Sequence, residues 1–152
     1  MSAQTSYTLT PANAAYPGML DGVGPHGVET LLVETAAGIA PGLVVSKGTA
    51  DDQAVLGGTA PIGVVVRRLD VENNASDAIV YDQYTPVAVV YSGRVTVSLG
   101  GAGNRGDAIK SNDTTGVITA GAAGAGETQL KGELLDTVAG AGIAKILLTP
   151  QV

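Results

Sequence analysis

The sequence lacks cysteine, tryptophan and phenylalanine, and only 14% of its 152 residues are charged. The absence of cysteine excludes disulfides and thiolate metal sites, although it says little about the compartment. Without Trp and Phe, the core must be built from Val, Ile, Leu and Ala, whose burial contributes about 1.5–3 kcal/mol each at most. A chain with few charges and 45% hydrophobic residues is expected to cover some apolar surface with another chain.

The charge balance and the absence of long apolar runs exclude two further classes of protein. With a net charge of −6, the chain has no excess of Lys and Arg to neutralise phosphates, so we expect no nucleic-acid binding. No apolar stretch approaches the roughly 20 residues of a membrane span, so no membrane partner is expected. The first residues also lack the basic and apolar regions of a secretory signal. We therefore expect a soluble protein made in a cytoplasm.

The clearest strand pattern lies in residues 84–120. Apolar and polar side chains alternate from Arg94 to Leu99, which is typical of a half-buried β-strand. A second β-branched run, Val87–Tyr91, joins it through Ser92-Gly93, where we expect a bulge or a sharp bend. The polar stretch Asn112–Gly116 predicts a hairpin turn.

The remaining chain also predicts short strands separated by turns rich in glycine and proline. Val28–Thr35 and Ile62–Arg67 have strand patterns, and a closing hairpin is predicted around Ala139–Gly142. Short strands at close spacing favour a barrel or a sandwich. We predict an all-β protein, a small β-barrel or β-sandwich of the β-tulip kind, formed by residues 28–152.

Residues 1–27 differ from the rest of the chain because they combine prolines and glycines with large apolar side chains. This composition predicts an extended N-terminal arm that lies on a partner, with a frayed terminus as the alternative. Because the predicted strands lie downstream, we expect the domain to fold without the arm. The candidate contact residues in the arm are Tyr7, Tyr16, Pro17, Met19, Leu20, Pro25 and His26.

No arrangement of residues in the sequence predicts catalysis, a cofactor or a metal. Gly101–Gly106 matches the dinucleotide pattern G-x-G-x-x-G, but the next residues lead to another turn and leave no room for the required helix. His26 is the only histidine, and it has no cysteine or second histidine to form a nucleophilic or metal-binding cluster. We predict that the protein is not an enzyme.

Several segments, taken in order, resemble the structural cement, or capsid decoration, proteins of tailed bacteriophages. The resemblance covers most of the chain from about Tyr16 onward. The segments that carry it include Tyr16-Pro-Gly-Met19, Gly24-Pro-His26, Ile39–Gly48, Ile62–Arg67, Tyr84-Thr-Pro86 and Val89–Val97.

This resemblance implies a β-rich homotrimer on the outer surface of the phage head, made in the cytoplasm of the bacterial host. Its implied partner is the major capsid protein, whose subunits it would bridge to stabilise the assembled capsid. Residues 16–26 would belong to the arm. The sequence departs from many relatives because its central strands lack Trp and Phe.

Two other functions remain open at this point. A β-sandwich module that binds host-surface glycans usually presents exposed aromatic residues or a polar pocket, for which five Tyr and no Trp are a poor supply. A small enzyme is disfavoured by the absence of convergent catalytic groups.

Overall fold

The computed structural model describes residues 15–21, 24–68 and 79–151. Within these ranges the chain forms β-strands and no helix, which confirms the all-β prediction. The strands are β1 (Gly27–Val33), β2 (Val44–Lys47), β3 (Gln53–Leu56), β4 (Pro61–Val65), β5 (Pro86–Leu99), β6 (Ala108–Asn112), β7 (Ile118–Ala120), β8 (Glu127–Leu134) and β9 (Gly142–Leu148).

The strands close into two five-stranded barrels that share β5. In the first barrel the order is β1-β3-β2-β4-β5, and β5 closes the ring by pairing with β1. In the second barrel the order is β5-β7-β6-β8-β9, and β9 pairs back with β5. Of the two predicted architectures, the structure therefore shows the barrel.

The two barrels have the same topology, because each strand of the first corresponds to the strand four places later in the second. In each barrel the first strand pairs in parallel with the third, and every other neighbouring pair is antiparallel. The register also agrees, since Leu31 opposite Val87 corresponds to Val97 opposite Ala144. The chain is thus two copies of one unit, with β5 ending the first and beginning the second.

The loops of the two units also form equivalent hydrogen bonds. Gly42 N donates to Val65 O at 2.8 Å, and Gly106 N donates to Leu134 O at 2.7 Å. Each of these glycines has a positive φ, 82° and 91°, in the turn before the second strand of its unit. The correspondence therefore extends beyond the strands.

A β-bulge at Tyr91 allows β5 to serve both barrels. Gly27 pairs with Ser92 and Val28 pairs with Val90, so Tyr91 is the extra residue on β5. A single extra residue reverses the side to which the following side chains point. Val87 and Val89 are thus buried in the first core, whereas Val95, Val97 and Leu99 are buried in the second. A bulge or a sharp bend was predicted at Ser92-Gly93, and the observed bulge lies one residue before it.

The cores consist almost entirely of aliphatic side chains, as the composition requires. One buried aromatic residue, Tyr81, belongs to the first core, and its hydroxyl lies 2.6 Å from Arg68 N, which donates to it. Val44, Val64 and Val90 occur side by side on β2, β4 and β5, and they belong to the core of the second barrel. This row of valines packs the two barrels against each other.

Both predicted hairpins are present. The strands β6 and β7 pair across the Asn112–Gly116 turn, in which Asn112 Oδ1 accepts from Thr114 N and Thr115 N at 2.9 Å each. The strands β8 and β9 pair across the loop that contains Ala139–Gly142.

Close contact between backbones at Gly63 generates a stability prediction. A Cβ at Gly63 would lie 2.1 Å from Val90 O on the neighbouring strand, so Gly63→Ala must displace β4 from β5. We expect a loss of about 1–3 kcal/mol in the free energy of unfolding. Gly101→Ala is the matched control, because a Cβ there meets nothing within 4 Å. Thermal unfolding of both variants tests this, and equal melting temperatures would contradict the described contact.

Candidate functional site

The predicted contact residues from Tyr16 to Leu20 lie in a short segment, residues 15–21, which we term the N-terminal segment. It begins with a tight turn in which Met19 N donates to Tyr16 O at 3.1 Å. Pro17 and Gly18 occupy the central positions, and Gly18 has a φ of +82°. Proline followed by a residue of positive φ is the sequence signature of a type II turn.

After the turn, the N-terminal segment pairs with the edge of β5. Gly18 N donates to Thr96 O and Thr96 N donates to Met19 O, both at 2.8 Å, and Asp21 N donates to Arg94 O at 3.1 Å. On β5 these positions lie between Val89, which pairs with β4, and Leu99, which pairs with β7. The segment therefore covers a gap where the two barrels meet.

The side chains of the segment contact both barrels. Leu20 lies opposite Val95 and packs against the core of the second barrel. On the first-barrel side, the Arg67 guanidinium carbon lies 4.6 Å from the centre of the Tyr16 ring, within the range of a cation–π contact. Pro17 packs closely on Gly42, where a Cβ would lie 2.6 Å from the Pro17 Cβ. These contacts hold the segment at the junction of the barrels.

Pro25 and His26 lie beside β5, next to Gly93 and Arg94. His26 Nε2 is 3.2 Å from Arg94 O, to which the protonated ring nitrogen donates. Pro25 is exposed, and it lines a cleft of about 310 Å³ together with Ser92–Arg94 and Leu147–Thr149. Along β5, the predicted contact residues Tyr16–Leu20 therefore lie on the Thr96 side of Arg94, and Pro25 and His26 lie on the Gly93 side. Tyr7 lies outside the described residues.

These contacts change what is expected of an arm deletion. Removing residues 1–27 would leave Arg94 O and the Thr96 N–H and C=O without the partners described above. It would also expose the core side chains of the second barrel against which Leu20 packs. Water would reach the unpaired backbone groups once the segment is gone, so each lost hydrogen bond should cost about 0.5–1.5 kcal/mol. The loss of the apolar contacts of Leu20 with the second core adds to this cost. We therefore expect the deletion to lower the stability of the domain. Folding of the domain without the arm, the arm boundary at residue 27 and the contact of the arm with a partner all stay predictions.

Four large apolar side chains that sequence analysis did not single out are exposed: Val28, Tyr84, Tyr91 and Ile143. Tyr84 is 64% exposed and has a φ of 65°, a backbone conformation that no other non-glycine residue has within the described ranges. An exposed aromatic ring on a strained backbone is typical of a contact residue. In the sequence, Tyr84 contributed only to the family resemblance through Tyr84-Thr-Pro86, and nothing there indicated its exposure or its positive φ.

Polar groups converge little in the part of the chain that the structure describes. Residues 15–21, 24–68 and 79–151 contain no group of three or more His, Cys, Asp or Glu arranged to hold a metal ion. The G-x-G-x-x-G loop helps to line a cleft of about 540 Å³ with Thr137–Ala139, and it continues into strand β6. The described residues also include no helix with the length and hydrophobicity of a membrane span.

One half-buried ion pair braces the second barrel. Lys110 on β6 donates to Glu127 Oε2 on β8 at 2.8 Å, and Gly124 N donates to the same oxygen at 2.9 Å. The Lys110 hydrogen bond is the main cause that lowers the pKa of Glu127, and the Gly124 N–H adds to the effect. The carboxylate form of Glu127 is therefore favoured by folding.

Comparison with known proteins identifies the family. The model of the structural cement protein family (E217 gp24/Pam3 gp6) matches residues 3–149. The chain belongs to this family of phage proteins. The resemblance in the sequence is thereby confirmed, and no curated protein matches the chain.

A solved structure has the same fold as this cement protein. It is a chain from "The capsid of Myoviridae Phage XM1", with a TM-score of 0.70 and 16% sequence identity. The alignment covers 90% of the cement protein and 91% of the XM1 chain. Since the match spans nearly all of both chains, the likeness in fold includes both barrels.

The packing of Leu20 predicts that the N-terminal segment stabilises the domain. Leu20→Ala should lower the free energy of unfolding by about 1–3 kcal/mol, because Leu20 is partly buried against the second core. Pro25→Ala, at an exposed position, serves as the control. Chemical denaturation measures both. A Leu20→Ala variant as stable as the wild type would show that the packing of Leu20 contributes nothing to stability.

The Glu127–Lys110 pair predicts a pH dependence. Because folding lowers the pKa of Glu127, its stabilising contribution is complete above the unfolded-state pKa of about 4.3. The contribution is lost as the pH falls from there through the lower folded-state pKa. Glu127→Gln should therefore be less stable than the wild type at pH 7, and this difference should shrink at pH 3. A difference that does not change with pH in thermal melts would contradict the assignment.

Proposed function

We propose that this chain is a decoration protein that binds the outer surface of the assembled phage capsid. It stabilises the capsid by bridging subunits of the major capsid protein. The observation that carries the proposal is membership of the structural cement family over residues 3–149. The fold shared with a chain from a phage capsid supports it.

The stabilisation follows from mass action. A protein that binds the assembled shell and not its separated subunits lowers the free energy of the assembled state alone. Contacts with several subunits add avidity, because each later contact forms within an existing complex. No chemical step is needed, so the proposed role is structural and not catalytic.

Two features of the fold suit a bridging role. The barrels are joined by a common strand and by the valine row Val44, Val64 and Val90, so contacts on one barrel are held at a fixed distance from contacts on the other. The protein also carries exposed apolar side chains that a bound partner would cover. We propose that three copies form a homotrimer on the capsid, which is a closed symmetric assembly.

The contact surface proposed for the capsid includes the seven arm residues predicted from the sequence. Among them Pro25 is exposed, and Tyr16, Pro17, Met19, Leu20 and His26 are half-buried, so all six retain some surface for a partner. Pro17 and Leu20 act mainly by fixing the segment that presents the others. Tyr7 remains part of the proposal on the basis of sequence alone.

The proposed location is the outer surface of the virion capsid, reached after synthesis in the cytoplasm of the bacterial host. An acidic protein with net charge −6 suits an outer position because it has no attraction for the packaged DNA.

Binding to purified heads tests the proposal. Heads that lack the protein should release DNA at a lower temperature than heads to which it has been added. Pro25→Ala combined with His26→Ala should weaken co-sedimentation by about tenfold, which corresponds to about 1.4 kcal/mol shared between the two truncated contact residues. The control is Thr59→Ala, which alters an exposed turn far along the chain. Failure of the wild-type protein to co-sediment with heads would refute the proposed function.

A further inference from the structure

The equivalence of the two barrels reveals a strand edge that is covered in one and open in the other. In the second barrel the N-terminal segment pairs with β5 at Arg94 and Thr96. The corresponding residues of the first barrel are Val28 and Thr30 on β1, because Glu29 opposite Val89 matches Val95 opposite Ile146. No residue within the described ranges pairs with β1 on this side of Val28 and Thr30.

The direction of the backbone groups shows that this edge can accept a strand. On the β3 side of β1, Leu32 N donates to Asp52 O at 2.7 Å and Glu34 N donates to Ala54 O at 2.9 Å. Alternate residues of a strand direct their N–H and C=O groups to the same side, so those of Val28 and Thr30 also point there. Both residues are exposed. We term residues Val28–Thr30 the open edge.

An apolar cleft lies beside the open edge, at Glu29. It has a volume of about 250 Å³ and is lined by Glu29, Ile62, Tyr91, Pro150 and Gln151. In the second barrel the position equivalent to Glu29 is Val95, and Leu20 of the paired segment lies directly opposite it. An added strand on the open edge would place one large side chain opposite Glu29, at this cleft.

We infer that the open edge binds the N-terminal residues of a second copy of this chain by strand addition. Residues 1–14 precede the described structure in every copy. Within them Tyr7 and Leu9 alternate with Thr8 and Thr10, and this spacing sends the two apolar side chains to one side of an added strand. One of these apolar side chains would enter the cleft at Glu29.

The length of the chain allows such an exchange. If residues 6–10 pair with the open edge, residues 11–14 remain to connect them to Ala15 of their own copy. Four residues span about 13–14 Å when extended. Contact between the arm of one copy and β1 of the next is a head-to-tail interface, and an interface of this type gives a closed trimer when each copy is rotated by a third of a turn from the last. The inference therefore rests on the proposed homotrimer and supplies its interface.

Proline at the open edge provides the first test. Thr30→Pro removes an N–H that points away from β5, so the pairing of β1 with β5 should survive while an added strand loses a hydrogen bond. Thr30→Ala keeps the N–H and is the control. Light scattering across a concentration series should show at least a tenfold weaker association for Thr30→Pro. Circular dichroism verifies that both variants are folded.

A second pair of variants identifies the occupant. Tyr7→Ser with Leu9→Ser should weaken association as Thr30→Pro does, whereas Thr8→Ser with Thr10→Ser, on the other side of the alternation, should not. If the proline weakens association and the Tyr7 and Leu9 changes do not, another segment occupies the edge and the inference is wrong.

Disulfide trapping tests the contact itself, and no competing disulfides form because the native chain has no cysteine. Thr30→Cys is combined in turn with cysteine at each of positions 6–10, and Ile143→Cys replaces Thr30→Cys in the control series. We expect covalent dimers and trimers under mild oxidation, both in solution and on purified heads, for at least one Thr30 combination. Only monomers, or disulfides within one chain, would overturn the inference. If heads bind the protein but no such cross-links form, the proposed function stands and the inference fails. If cross-links form but the protein does not bind heads, the inference stands and the proposed function fails.

Discussion

The architecture depends on a single strand that must satisfy two barrels. The first half of β5 pairs with β1 and β4, and its second half pairs with β9, β7 and the N-terminal segment. An unbroken alternation would send Val95, Val97 and Leu99 to the same side as Val87 and Val89. The extra residue at Tyr91 reverses the alternation, so that each half of β5 supplies apolar side chains to its own core. Both cores therefore depend on one local irregularity.

The aliphatic composition is compatible with this arrangement because two small cores need less volume than one large core. Valine, isoleucine and leucine fill five-stranded barrels whose interiors are narrow. The valine row on the outside of the first barrel then extends the second core across the junction. Close approaches of backbone at Gly63 and at its counterpart Gly132, where a Cβ would lie 2.2 Å from Leu147 O, keep each barrel tight.

Much of this fold could be predicted from the sequence, since period-two alternation and turn residues are local signals. They correctly predicted the Asn112–Gly116 hairpin and strands in the regions of β1, β4 and β9. The duplication was not predicted, because equivalent positions share backbone shape but seldom residue type, and they do not always share burial. Val95 corresponds to Glu29, and Gly103 corresponds to Ile39. Glycines with positive φ occur at equivalent positions in the two units, Gly42 with Gly106 and Gly57 with Gly121. Glycines are too common in this chain for these pairs to reveal a repeat.

The place of the N-terminal segment could not be predicted either, because its pairing is with a strand far along the chain. Prolines and glycines indicated an irregular arm, and the Pro17-Gly18 turn agrees with that. The hydrogen bonds of Met19 and Asp21, however, depend on a gap in the edge of β5 between the residues that pair with β4 and those that pair with β7. Apolar content at Leu20 was the one available signal, and it fits burial within the same molecule as well as it fits a partner.

The shared strand also determines how the molecule responds to mechanical load. If the two barrels are pulled apart, tension passes along the 14 residues of β5, which is the strand that both rings have in common. Hydrogen bonds in an antiparallel pair run perpendicular to the strands, so tension along β5 shears many of them at once and does not open them one after another. Two domains joined by a flexible linker would separate freely under the same pull. In this protein, extension requires that one half of β5 be torn from its own barrel, so the barrels cannot separate while both remain folded.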